Sequence, residues 1–409
     1  MSLHRSGLSV VIVSAVFVSQ MILQTAAQSS VPGNAHKVTF DCDPEQLHGA
    51  AKLVCLVKRF EEGRRLFDEE TFQGNGRTCV TCHSVKNGTF SPEDAQKRLA
   101  RDPADPLFLD DGLDDGVHGT SRITEHATVR IEIPLTSRVK LANDPTATSV
   151  TLLRGTPTTR NTPSLQPVFM YDGRDKTLEE QALGAVHAHA RNSFEPTPLQ
   201  LQLIAEFQQT APRFFSSAPL FLFAQGGPPP RLPNGVTASE KRGRAMFDNV
   251  PITPGSTKGL CAMCHTGPML DVSNEFNIFL PDLPGLRFFG VGVPERNKLN
   301  LPTHEFIVDG TDRIVTPDPG ACLTDPPDPN EFPPELFGPG GPFPLIIACN
   351  LFKTPSLWGV RHTAPYFHDN SSKTLEEVGE QYAFMFREFA GIILTPQDEA
   401  DIVAFLRLL

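Results

Sequence analysis

A chain of 409 residues, 39% hydrophobic and 20% charged, is long enough for two domains and has the composition of an ordinary globular protein. Its formal net charge of −11 argues against a nucleic-acid partner, because nothing in the balance would neutralise phosphates. The 38 prolines and 31 glycines predict long loops between the elements of a mostly α protein with few short strands.

In chain order, His4 and Arg5 precede an apolar run over residues 8–23 and then Thr25-Ala26-Ala27. That is the pattern of a secretory signal peptide over residues 1–27, with an uncleaved anchor as the alternative. No later stretch is apolar enough to span a bilayer. The mature chain is therefore expected outside the cytoplasm, in the periplasm of a Gram-negative cell. Cys42 and Cys55, with Cys322 and Cys349 far downstream, lie outside any motif and suggest two disulfides in an oxidising compartment. Pairing 42 with 55 and 322 with 349 closes the shortest loops and is preferred among three connectivities, free buried cysteines being the other reading.

Gly63-Arg64-Arg65-Leu66-Phe67-Asp68 leads into Cys79-Val80-Thr81-Cys82-His83. Residues 102–117 then carry six aspartates, more often a solvated face than a cation site. Thr162-Pro163-Ser164-Leu165 and Asp172-Gly173-Arg174 follow, then Lys176-Thr177-Leu178-Glu179-Glu180 and a helix opening at Thr197-Pro198. Leu199, Leu203, Ile204 and Phe207 give that helix an apolar face. Two Pro/Gly clusters, at 226–230 and 233–235, place a linker at 212–236, between an N-terminal domain (28–211) and a C-terminal domain (237–409).

The second half repeats the order. Thr237-Ala238-Ser239-Glu240 reads as a capping box opening a helix with Gly243 and Phe247, followed by Cys261-Ala262-Met263-Cys264-His265. A proline-rich insertion occupies 317–344. Thr354-Pro355-Ser356-Leu357, Asp369 and Lys373-Thr374-Leu375-Glu376-Glu377 come next, then a helix capped by Thr395 with Ile402, Val403, Phe405 and Leu406 on one face. Lys-Thr-Leu-Glu-Glu begins four residues after an aspartate in both halves. The order and spacing predict two cytochrome-c-like domains related by internal duplication, each with its own core.

Two thiols three residues apart suit covalent addition to the vinyl groups of haem, with the next histidine placed to reach the iron. Cys79, Cys82 and His83, and Cys261, Cys264 and His265, therefore predict two covalently bound haems c. A zinc ribbon needs both Cys pairs in one domain, and a redox dithiol would not recur twice with a following histidine.

With these motifs, the chain resembles the di-haem cytochrome c peroxidase family, which includes the MauG oxygenases. The resemblance runs from about residue 60 to the C-terminus. It rests on Arg160-Asn161-Thr162-Pro163-Ser164-Leu165, on Asp172-Gly173-Arg174 through Glu179-Glu180-Gln181-Ala182-Leu183-Gly184, and on Thr354 to Leu357 with Thr363-Ala364-Pro365-Tyr366-Phe367-His368-Asp369. It implies an N-terminal haem that meets peroxide and a C-terminal haem that relays electrons. It also implies a calcium ion at Asn161, Thr363 and Pro365. Counting from Leu375, the sixth ligand of the C-terminal haem falls on Tyr382 (the MauG-like register), with Met385 as the alternative and core packing as the bland one. Gln181 matches a distal-pocket glutamine, and Tyr171 stands where the family has a tryptophan bridging the haems. The family's distal glutamate falls on Arg191, which leaves Glu195, His187 and His189 as substitutes, and residues 150–159, where the classical peroxidases carry a histidine for the N-terminal iron, hold none.

The resemblance thus implies a di-haem peroxidase-type oxidoreductase. It would reduce hydrogen peroxide with electrons from a small cytochrome c or cupredoxin, and a homodimer is an allowed assembly. The alternatives are a MauG-like oxidase or oxygenase acting on an organic or protein substrate, and a non-catalytic di-haem electron carrier.

Overall fold

The computed structural model describes residues 42–248, 260–273, 285–324 and 344–409, so the leader expected over 1–27 lies outside the described residues. Within them no helix is long and apolar enough to cross a membrane.

The helices start where a side chain can satisfy the free amides of the first turn. Thr177, Thr197, Thr237 and Thr395 each accept from the N–H three residues on, and Glu180, Gln200, Glu240 and Asp398 answer on the cap's own N–H. These caps open helices Leu178–Ala185, Pro198–Thr210, Ala238–Phe247 and Pro396–Leu406, and Thr374 caps Leu375–Ala390 through the Glu377 N–H. Helix Gly49–Asp68 packs against Pro198–Thr210 at Gly63, where a Cβ would overlap the Leu203 carbonyl. Ala238–Phe247 packs against Pro396–Leu406 at Gly243 in the same manner, against the Asp401 carbonyl. Each pair closes one apolar core: Leu66, Phe67, Leu203, Ile204, Phe207 and Phe214 in the first, and Phe247, Met263, Met385, Ile402, Val403 and Phe405 in the second.

A third core draws on both halves. Strands Thr128–Pro134 and Ser149–Gly155 pair antiparallel, Thr128 opposite Gly155. Strand Val139–Leu141 of the first half joins His304–Val308 of the second, which pairs in turn with Asp312–Thr316. Apolar residues of both halves, among them Ile131, Leu152, Phe306, Val308, Leu323 and Leu345, fill one cluster beneath these strands. Disulfide Cys322–Cys349 is buried in it, and Cys42–Cys55 ties the chain ahead of the first long helix to that helix, so both local pairings are formed.

The segment expected as linker is also more ordered than its composition suggests. Helix Ala218–Ala224 lies within it, and Phe215 and Leu220 pack against Met269 of the second half.

Candidate haem sites

Both Cys-x-x-Cys-His motifs form a single helical turn, the histidine N–H bonding back to the first cysteine carbonyl at 3.0 Å (His83 to Cys79) and 2.9 Å (His265 to Cys261). The chain then turns so that a carbonyl five residues on receives the imidazole. His83 Nδ1 donates to the Gly88 carbonyl and His265 Nδ1 to that of Leu270, each at 2.8 Å. A carbonyl can only accept, so each Nδ1 carries the proton and each Nε2 presents its lone pair, the state in which imidazole binds a metal. Burial lowers the pKa of both imidazoles, that of His265 to about 4, and keeps them neutral.

Cys79, Cys82, Cys261 and Cys264 remain outside the disulfides and half-buried. Burial pushes the thiols of Cys79 and Cys261 up to about 12 and that of Cys82 up to about 11. Such thiols are poor redox or metal-binding thiolates at neutral pH. Two thiols outside any disulfide, on one turn beside a neutral, tethered imidazole, are the donor set that haem c requires, and both sites fit it.

The surroundings of the two histidines differ. Tyr382, on helix Leu375–Ala390, places its hydroxyl 3.3 Å from His265 Nε2, while Met385 on the same helix turns into the core beside Phe386. No side chain of the described residues bonds to His83 Nε2. Gln181 is half-buried on helix Leu178–Ala185, which runs into a short π-helical segment, Val186–Ala190. His187 and Glu195 are exposed and pair with each other at 2.9 Å. Arg191 ends the segment in the left-handed region, φ 52°, with its side chain in solvent.

Between the halves, Tyr171 meets His368 edge-on, centroids 6.4 Å apart, and His368 stacks on Phe352 at 3.7 Å. Next to them the buried Arg154 binds Asp172 at 2.6 Å and Asp318 at 2.6 and 2.8 Å, with Arg174 on the other side of Asp172. Asn161 is also a contact between halves. Its Oδ1 accepts from the Ser216 N–H, and its Nδ2 donates to Ser216 Oγ and the Trp358 carbonyl. Thr363 and Pro365 follow on the same loop, Pro365 after a cis peptide, with Arg361 and His362 as its charged or titratable side chains. Among the described residues no group of three or more His, Cys, Asp or Glu side chains could hold a metal ion.

The acidic run 102–117 departs from the expected solvated face. Asp105 binds Arg98, Asp111 binds Arg77 and His189, Asp114 accepts from the Ser121 and Arg122 N–H groups that open the next helix, and Asp115 accepts from the Val117 N–H of its own loop. The Arg77–Asp111–His189 contact was not legible in the sequence, since its members lie 34 and 78 residues apart, and the run of aspartates was its sole trace.

Residues 58–222 match the model of the family described as di-haem cytochrome c peroxidase. A cytochrome-c peroxidase of Pseudomonas sp. (strain SCT) is 22% identical over 291 residues, 59% of this chain, and the chain spans 64% of that relative's length. Among solved structures, a MauG-like protein associated with microbial copper homeostasis aligns at 20% identity, covering 86% of this chain and 87% of its own, with a TM-score of 0.43. The di-haem peroxidase BthA of Burkholderia thailandensis aligns at 16% identity over 86% and 85%, TM-score 0.45.

Proposed function

We propose, for a chain that belongs to the di-haem cytochrome c peroxidase and MauG family, a di-haem c-type oxidoreductase that reduces hydrogen peroxide with electrons from a small redox protein. The observation that carries this reading is the unequal setting of two otherwise matched imidazoles. His265 Nε2 faces a phenol at 3.3 Å, whereas His83 Nε2 is bonded to no side chain among the described residues. Haem bound at each motif supplies redox-active iron, and a position free of protein ligands is where a small oxidant binds.

The chain's own residues divide the work accordingly. Cys79 and Cys82 would hold one haem and His83 would orient it; Cys261, Cys264 and His265 would hold the other, with the Tyr382 hydroxyl at that site. Gln181 lies on the helix that borders the His83 side and positions the peroxide. Tyr171, between the halves, provides an aromatic step between the two centres. We read the halves as duplicates that diverged in these roles. Calcium, where the resemblance puts it, would share Asn161 Oδ1 with the Ser216 N–H. The formed disulfides and the leader support an exported, periplasmic protein.

Steady-state reduction of hydrogen peroxide by the purified di-haem protein with a reduced small cytochrome or cupredoxin tests the proposal. Turnover that needs both donor and peroxide supports it, and two haems indifferent to peroxide contradict it. A MauG-like oxidase acting on an organic or protein substrate is the second reading, and the tyrosine rather than methionine beside His265 favours it. Slow peroxide turnover with a long-lived oxidised state would select that reading.

A further inference from the structure

We infer that His189, oriented by Asp111, is the acid–base group of the His83 site. This rests on the peroxide-reducing reading above and gives it the proton carrier that its sequence lacks at Arg191.

The other substitutes are placed unfavourably. His187 and Glu195 have side chains 48% and 66% exposed and satisfy each other. His189 differs in every respect. Its Nδ1 lies 2.5 Å from Asp111 Oδ2, and its side chain is 26% exposed. Asp111 is buried, and its second oxygen is held by Arg77, whose guanidinium also donates to the carbonyls of Pro106, Leu107 and Leu109. Arg77 stands two residues ahead of Cys79. The same loop grips the segment that bears His189: the Asn75 N–H donates to the Ala190 carbonyl at 2.7 Å, and Asn75 Nδ2 to the His189 carbonyl at 3.0 Å. The π-helical turn is thereby fastened to the approach of the first haem motif, a deviation of the kind that collects at functional sites.

Asp111 is ionised, burial being outweighed by His189 and Arg77, so it can only accept. The Nδ1 of His189 is then the donor, and Nε2 is left to exchange protons, the arrangement by which a carboxylate orients a catalytic imidazole. His189 is also close enough for its charge to oppose protonation of His83. No hydrogen bond or ring contact joins the two histidines among the described residues, unlike the 3.3 Å approach of Tyr382 to His265.

In the step, Nε2 takes the proton from one oxygen of hydrogen peroxide and gives it to the other as the O–O bond breaks, and that oxygen leaves as water. Two electrons from the donor protein and two protons from solvent complete the second water.

The test uses the haem-loaded protein with His189→Gln and Asp111→Asn. Hydrogen cyanide must lose its proton to bind ferric haem, so its association rate reads the base without turnover. His189→Gln is expected to slow both cyanide association and peroxide cleavage by roughly 10²–10⁴-fold, with an unchanged resting spectrum. Asp111→Asn keeps the imidazole and is expected to lose part of that; it carries the same test if His189→Gln fails to retain haem. Wild-type cyanide rates in both variants would overturn the inference. So would a resting spectrum that turns from low-spin to high-spin in His189→Gln, which would make His189 a ligand. Wild-type protein with His189-dependent cyanide binding but no peroxide reduction would uphold the base and sink the peroxidase reading.

Discussion

Replacing Tyr382 by phenylalanine removes the hydroxyl that lies 3.3 Å from His265 Nε2 and leaves the ring in place. If the phenol is the opposing ligand, ferric Tyr382→Phe protein loses its low-spin haem signal and gains a second high-spin one, read by electron paramagnetic resonance. An unchanged spectrum would return Tyr382 to core packing. Arg154 makes a different claim, about stability. It is buried between Asp172 and Asp318, one from each half, and Arg154→Met leaves Asp318 buried without its guanidinium partner and Asp172 with Arg174 alone. A loss of about 3–5 kcal/mol is expected in denaturant unfolding, against near-neutrality if the network were dispensable. Single residues with a motif around them were easiest to single out in the sequence: the thiols and histidines of the two Cys-x-x-Cys-His turns, with Tyr382 reached only through the family's spacing from Leu375. Residues that act through distant partners were not, since neither Arg77–Asp111–His189 nor Arg154–Asp318 leaves a local pattern.

The helices were legible for the reason that makes them form. Thr395, Pro396 and Asp398 specify a start, and the structure uses Thr395 as the cap with Asp398 closing the box. Thr395→Ala should cost about 1 kcal/mol by thermal unfolding, while an unaltered midpoint would mean that packing at Gly243 holds the helix alone. The strands were not legible. Val139–Leu141 and Phe288–Phe289 are too short to carry a period of two; the first pairs with His304–Val308 of the other half and the second with Phe352–Lys353, far along its own. The Cys322–Cys349 bridge closes a separation of 27 residues. Loop-closure entropy gives it about 3.5 kcal/mol, so the double serine variant should unfold at correspondingly lower denaturant, and an equal midpoint would count against that role.

At the scale of the molecule, length and repeat suggested two domains each with a core of its own, and beside those cores a third is shared between the halves: Phe306 and Leu345 of the second pack with Ile131 and Leu152 of the first. A sequence read half by half could not show this, because each half supplies only part of that core. Across the halves, Tyr171 meets His368 edge-on and His368 stacks on Phe352. The net charge of −11 bears on the donor. Reduction by a basic small redox protein should slow as ionic strength rises from about 0.01 to 0.15 M, and a rate indifferent to salt would mean that the charge does not steer docking.

The central claim is that matched imidazoles hold two haems, one closed by a phenol and one open to oxidant. Low-temperature electron paramagnetic resonance of the resting ferric protein tests it most directly. The structure predicts one low-spin and one high-spin haem in equal amounts, the high-spin signal alone shifting when cyanide is added. Two low-spin haems that ignore cyanide would contradict it.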